Sequence, residues 1–211
     1  MAEEITLAVL TRGRFEDVIQ CITTARATAT GKLKVVVVVD DDIKTYTGLE
    51  QWAGSRDNVK VVYLHPRHYY VRGMNALYKH VDTEYFVVSN DDVSFTHQGW
   101  DERALTAVRK CGGIVELAGP DLCAHYITSR TFIDLSFDGL LAEPAYTFYC
   151  SDTELRNRAR VLGAYHFLPE SGLVHHVKND RVRSDASYWM ATDRETFKRR
   201  WQSEWPAEVW Q

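Results

Sequence analysis

The chain has 211 residues and a formal net charge of −4, long enough to bury a substantial core and too acidic overall for a generally basic nucleic-acid binder. Its cysteines, Cys21, Cys111, Cys123 and Cys150, lack CxxC spacing, which argues against a zinc site or a disulfide framework and fits a reducing cytosol. The acidic Met1-Ala2-Glu3-Glu4 start is unlike a signal peptide, and no stretch approaches the roughly 20 apolar residues of a membrane span, so a cytoplasmic protein without an integral membrane segment is expected.

Ile5 to Leu10 reads as a first strand, followed by the polar turn Thr11-Arg12-Gly13-Arg14 and a helix from about Phe15 to Ala29 that Gly31 closes. Leu33 to Val39 shows no polar alternation, the pattern of a central parallel strand covered on both faces. Asp40 to Thr47 is expected as a polar loop, Gly48 to Ala53 as a short helix, Val59 to Leu64 as a third strand and Tyr70 to His80 as a helix. The fourth strand, Glu84 to Ser89, is followed by a helix over Asp101 to Lys110. This β-α alternation predicts an α/β fold with a mostly parallel, Rossmann-like central sheet and helices on both faces.

The second half changes character, with short strand candidates at Ile114 to Ala118, His125 to Thr128, Tyr165 to Leu168 and Leu173 to Val177 among helices, including Leu155 to Leu162. It reads as a small mixed acceptor-side lobe, residues 113–211, on a nucleotide-binding half, residues 1–112. No repeat or Pro/Gly/Ser linker divides the two, so one domain over 1–211 is expected.

Two buried strands end in acids: Leu33 to Val39 in Asp40-Asp41-Asp42, and Glu84 to Ser89 in Asn90-Asp91-Asp92. Ligands of open α/β sheets bind at the strands' carboxyl ends. Hard cations such as Mg²⁺ or Mn²⁺ need only one or two protein carboxylates when substrate phosphate and water complete the shell. The bland alternative for each acid is a polar turn that caps the next segment.

Ser151-Asp152-Thr153-Glu154 opens a helix. Ser151 and Glu154 fit a capping box, which leaves Asp152 on a rigid element near a helix N-terminus, suited to stay ionised as a general base. Of His175 and His176, neighbours on a strand that face opposite ways, at most one enters a given site. A neutral imidazole there completes the coordination of Mn²⁺ or contacts a diphosphate. Lys198-Arg199-Arg200 reads as a solvated helix face.

Together the opening strand with Thr11-Arg12-Gly13-Arg14, the Val39-Asp40-Asp41-Asp42 strand end, the Asp-x-Asp-like Ser89-Asn90-Asp91-Asp92-Val93 and Asp152-Thr153-Glu154-Leu155 with Arg156 and Arg158 resemble a GT-A-fold glycosyltransferase of the inverting family 2 type. Gly73-Met74-Asn75-Ala76 is similar to the family's donor-side segment, and a late His followed by a polar loop fits as well.

The resemblance implies that Thr11 and Asp40 contact the nucleoside of a nucleoside diphosphate sugar, a UDP-sugar by expectation. Arg14, Asp42, Arg72, Asn75 and Asn90 complete the donor contacts, and Asp91 and Asp92 hold Mn²⁺ or Mg²⁺ against the diphosphate with help from His175 or His176. Asp152 is then the base. Asn90 departs from the strict Asp-x-Asp form, which puts the choice of direct ligand between the adjacent acids.

A sugar nucleotidylyltransferase is the alternative enzyme, weakened because only Gly13 stands where its Gly-rich loop would follow the first strand. A catalytically silent nucleotide-sugar-binding module is the alternative of another class. The acceptor is expected to be a glycan, a lipid-linked sugar, a protein or, for a phage-type enzyme, a hydroxylated DNA base, with Arg181-Val182-Arg183 and Lys198-Arg199-Arg200 as its basic patches and Tyr126, Phe132, Phe137, Tyr146, Phe148 and Tyr149 as groove aromatics, at least half of them core.

Overall fold

The protein is described by a computed structural model over residues 4–54, 56–119, 123–176, 184 and 186–204. Val177, the expected end of the last strand, and Arg181-Val182-Arg183 lie outside the described residues.

The first half alternates as expected. β1 (Ile5–Thr11) leads to α1 (Phe15–Thr28), β2 (Leu33–Asp40) to α2 (Ile43–Ala53), β3 (Val59–Leu64) to α3 (Tyr69–Tyr78), and β4 (Tyr85–Asn90), with the short β5 (Val93–Phe95), to α4 (Trp100–Cys111). The second half contains β6 (Ile114–Glu116), β7 (Tyr126–Ser129), α5 (Arg130–Ser136), α6 (Ser151–Val161), β8 (Tyr165–Phe167), β9 (Leu173–His175) and α7 (Met190–Glu204).

Among the described residues seven strands form one sheet in the order β3-β2-β1-β4-β7-β6-β8, and of these β7 alone runs against the others. The unbroken apolar run of β2 has a direct structural consequence, because successive side chains point to opposite faces and both faces are covered. Val35, Val37 and Val39 pack with Val18, Ile22 and Ala104 of α1 and α4. Val36 and Val38 pack with Val71, Met74 and Leu77 of α3. In α1 the buried Val18, Cys21, Ile22 and Ala25 recur at helical spacing, so one stripe of the helix faces the sheet.

The register brings the polar strand ends to one edge. Leu10 pairs with Asn90, Thr11 with Val39 and Asp40 with Leu64, which sets Thr11, Asp40 and Asn90 along the carboxyl edge of the parallel strands. Because β7 is antiparallel and Tyr126 pairs with Val88, its entry residues Ala124 and His125 arrive at that edge too. A separate ribbon pairs Val93 of β5 with His175 of β9, placing His175 beside the acids that follow β4.

Three expectations are corrected. The segment after β2 is not a loop as far as Thr47: α2 starts at Ile43, because Asp42 caps it by accepting from Thr45 N at 2.8 Å, a side-chain cap worth about 1 kcal/mol. The capping box at Ser151 does not form. Cys150 is the left-handed N-cap of α6 (φ 69°), Ser151 Oγ is buried without a hydrogen-bond partner among the described residues, and Glu154 turns to Tyr146 Oη at 2.5 Å and to Arg200. The Lys198-Arg199-Arg200 run is not wholly solvated, since Arg200 is half-buried and ion-paired with Glu143 and Glu154, each at 2.9 Å.

Candidate active site

A cavity of about 440 Å³ opens at the carboxyl edge of the sheet, within the size range of small-ligand sites. Thr11, Asp40, Asp91, Asp92, Asp152 and His175 all line it, so acidic tips from both halves of the chain meet in one space. A roomier groove of about 990 Å³ runs beside α1 and α2, but of these acids and histidine it holds none.

Asp91 is almost wholly buried. Thr11 Oγ1 donates to its Oδ2 at 2.6 Å and Arg14 donates to its Oδ1 at 2.8 Å and to Asp92 Oδ2 at 3.2 Å. Burial pushes the Asp91 carboxyl up to about 6, against the opposing pull of Arg14 and the Thr11 hydroxyl. For Asp92, burial also favours the neutral form, but the His175 ring, Arg14 and His125 outweigh it and hold the group below the usual carboxylate range. Asp92 therefore keeps its charge to a lower pH than Asp91 does.

The second oxygen of Asp92 marks where a cation fits. Asp92 Oδ1 is buried, has no hydrogen-bond partner among the described residues, and lies 3.3 Å from His175 Nε2. Two adjacent ligands about 2.1 Å from an octahedral cation sit roughly 3 Å apart, close to this spacing. No group of three His, Cys, Asp or Glu residues among those described could hold a metal ion by itself. One carboxylate and one imidazole suit a divalent ion whose remaining positions go to phosphate and water.

His176 does not line this cavity but borders a smaller one of about 170 Å³ with Asp17, Asp91 and Asp92; its Nε2 meets Ser94 Oγ at 2.8 Å while its backbone N–H donates to Asp92 O at 2.7 Å. The two histidines thus divide as alternation on a strand requires.

Asp40 faces the cavity but is also a structural acceptor, taking His68 N at 2.6 Å and Tyr69 N at 3.0 Å; burial raises its pKa despite both bonds. Asn90 lines the same cavity from the end of β4. Three expected donor contacts are placed elsewhere. Asp42 caps α2 and faces the α1–α2 groove, Asn75 is paired in both directions with the backbone of Ala142 (2.8 and 3.0 Å), and Arg72 stands on the exposed face of α3. None of the three lines the cavity at the strand edge.

Asp152 stands across the cavity in the first turn of α6. Its Oδ1 accepts from Thr153 N at 2.8 Å, and burial raises its pKa. Phe148 and Tyr149 form the adjoining wall, whereas Tyr126, Phe137 and Tyr146 are core and Phe132 is half-buried.

Two groups behind the site went unremarked in the sequence. Glu116, at the end of β6, is fully buried; its Oε1 accepts from Ala118 N at 3.3 Å, its Oε2 has no partner among the described residues, and burial pushes it up to about 8. His125 is buried, pushed down to about 3 by desolvation, and its neutral ring packs edge-on against His175 with centroids 4.7 Å apart. The Glu116 signal was available, since Ile114-Val115-Glu116 is another apolar run ending in an acid.

The fold is the GT-A arrangement of glycosyltransferases. Residues 6–123, more than half of the chain, match the profile of glycosyl transferase family 2, and the chain belongs to that family. Among solved structures it is similar to the mannosyltransferase PcManGT from Pyrobaculum calidifontis in complex with GDP-Man and Mn²⁺, with a TM-score of 0.77 and 14% identity over 97% of this chain and 66% of that one. It is also similar to S. aureus TarS: residues 1–349 give a TM-score of 0.63 at 12% identity over 82% of this chain and 60% of that one, and a second TarS structure gives 0.65 at 11% over 83% and 37%. At these identities the likeness is one of fold, the GT-A arrangement, and the chain spans about two thirds or less of each of those structures. No curated protein matches it. Among the described residues no helix is long and apolar enough to cross a membrane.

Proposed function

We propose that this chain transfers a sugar from a nucleoside diphosphate sugar to an acceptor hydroxyl, with inversion at the anomeric carbon. The observation that carries the reading is the convergence of Asp40, Asp91, Asp92 and Asp152 on one cavity, from strand ends on one side and a helix start on the other. Thr11, Asp40 and Asn90 are the donor-facing groups. Arg14, Asp92 and His175 stand where the diphosphate would lie.

Asp92 and His175 would hold a divalent cation, Mn²⁺ or Mg²⁺, which when bound would neutralise charge on the departing diphosphate. Arg14 adds a fixed guanidinium beside the same oxygens. Asp91, locked by Thr11 and Arg14, keeps that guanidinium in place.

Asp152 accepts the proton of the acceptor hydroxyl while the hydroxyl oxygen attacks the anomeric carbon from the face opposite the leaving group. One displacement gives inversion. Burial of Asp152 strengthens it as a base, because it raises the carboxyl's pKa above the usual aspartate value. The Phe148–Tyr149 wall offers the acceptor an apolar face beside it.

The test is release of nucleoside diphosphate from a UDP-sugar, the donor expected from the resemblance, and from GDP-mannose, the donor in the PcManGT complex. Wild type should turn over one of them in the presence of Mn²⁺, and Asp152→Asn should bind the nucleoside diphosphate but not turn over. Unimpaired turnover by a folded Asp152→Asn protein would remove the base assignment.

A further inference from the structure

The loop that presents Asp152 is held by a carboxylate outside the cavity. Asp193, in the first turn of α7, is 2% exposed. It accepts from the backbone of three consecutive residues: Thr147 N to Oδ1 at 3.0 Å, Phe148 N to Oδ2 at 2.8 Å and Tyr149 N to Oδ2 at 2.7 Å. A carboxylate bound by several N–H groups makes charge-assisted bonds, stronger than ordinary ones, and here they fix one short loop at three adjacent points.

Two further contacts complete the clamp. Seven residues along α7, on the same face, Arg200 donates to both oxygens of Glu154 at 3.1 and 2.9 Å, and Glu154 is two positions after Asp152 in α6. From the opposite side, Val71 N of α3 donates to Thr147 O at 3.2 Å. The left-handed Cys150 then turns the chain straight into the α6 N-terminus. Phe148 and Tyr149, whose amides Asp193 binds, are themselves the cavity wall beside Asp152.

We propose that Asp193 is a positioning residue for sugar transfer: by fixing the Thr147–Tyr149 loop it sets where the Asp152 carboxyl and the Phe148–Tyr149 wall stand against the acceptor hydroxyl. The inference rests on the reading of Asp152 as the base. Asp193 does not touch the donor-facing strand ends, so its loss acts on turnover and not on nucleotide binding. Misplacement of a reacting group by about 1 Å costs on the order of 100-fold in rate.

The experiment compares wild type, Asp193→Ala, Asp193→Asn and Asp152→Asn by three readouts: hydrogen exchange in the peptide covering 147–149, binding of UDP or GDP with Mn²⁺, and nucleoside diphosphate release from the corresponding nucleotide sugar. In Asp193→Ala the 147–149 amides should exchange at least about 10-fold faster, while nucleoside diphosphate affinity stays within roughly two-fold and release slows by about 10–100-fold. The acid limb of the pH–rate profile should also move to lower pH, because a released Asp152 is better hydrated. Asp193→Asn keeps one acceptor oxygen and should show the same effects in weaker form, and it carries the test if the alanine variant does not fold.

Fast exchange at 147–149 with release within about two-fold of wild type would overturn the inference, as would a loss of rate matched by an equal loss of nucleotide affinity. An inactive Asp152→Asn beside fully active Asp193 variants would remove the positioning role alone, whereas an active Asp152→Asn would remove the base assignment and with it this inference.

Discussion

The strand ends of β1, β2 and β4 and the segments carrying Asp152 and His175 reach the same cavity by different means. On the first side each functional group is the continuation of a buried parallel strand, so Thr11, Asp40 and Asn90 are placed by sheet register. On the second side placement depends on partners far away in sequence: Asp193 and Arg200 hold the approach to Asp152, and β5 holds His175. The sheet side is preorganised before any ligand arrives, and the clamped side is where a substitution distant from the chemistry should still reach it. Damage to the strand ends, or to His175 beside Asp92, should therefore read out in binding, and damage to the hold on Asp152 in turnover.

The largest separation is expected from Asp152→Asn, which should lower transfer by about 100- to 10,000-fold, the usual contribution of a general base, while calorimetry shows nucleoside diphosphate binding unchanged. Asp92→Ala should show the opposite pattern at equilibrium, with Mn²⁺ no longer strengthening nucleoside diphosphate binding. His175→Ala should weaken that Mn²⁺ effect without abolishing it, since Asp92 remains. A His175→Ala protein that bound with full Mn²⁺ dependence would move the cation away from β9.

pH sharpens the contrast further. Because burial raises the Asp152 pKa, the transfer rate should fall on acidification at a pH above the ordinary aspartate value of about 3.9, and this limb should vanish in Asp152→Asn. Stability carries a smaller signal from Glu116. Its folded value of about 8 lies above its unfolded value of about 4.3, so the folded protein keeps a proton that the unfolded chain releases. That stabilisation is complete below about pH 4.3 and is lost as pH rises toward about 8. Glu116→Gln cannot lose this proton, so its Tm advantage over wild type should grow by a few degrees between about pH 5 and pH 8.

The βα alternation, the parallel sheet covered on both faces and the acids after β2 and β4 were legible because each is written in consecutive residues. Val35 to Val39 announces a doubly covered strand, and Asn90-Asp91-Asp92 announces a polar strand end. The start of α2 was not legible, because Asp42 was equally suited to a loop and to the cap that it forms with Thr45. Asn75 and Glu154 also carried plausible local roles, yet Asn75 pairs with Ala142 and Glu154 with Arg200 across 67 and 46 residues. The same holds for Asp193: nothing near it in sequence marks three amides 44 to 46 residues earlier as its partners. β-register propagates local information, whereas single side-chain clamps do not.

The central claim is that the two sides enclose one nucleotide-sugar and its cation. Titration of UDP and GDP into wild-type and Asp92→Ala protein, each with and without Mn²⁺, tests it most directly. The account predicts that one of the two nucleotides binds wild type at least about ten-fold more tightly with Mn²⁺, equivalent to about 1.4 kcal/mol, and that Asp92→Ala removes this gain. Equal affinity with and without Mn²⁺, or a gain that survives in Asp92→Ala, would contradict it.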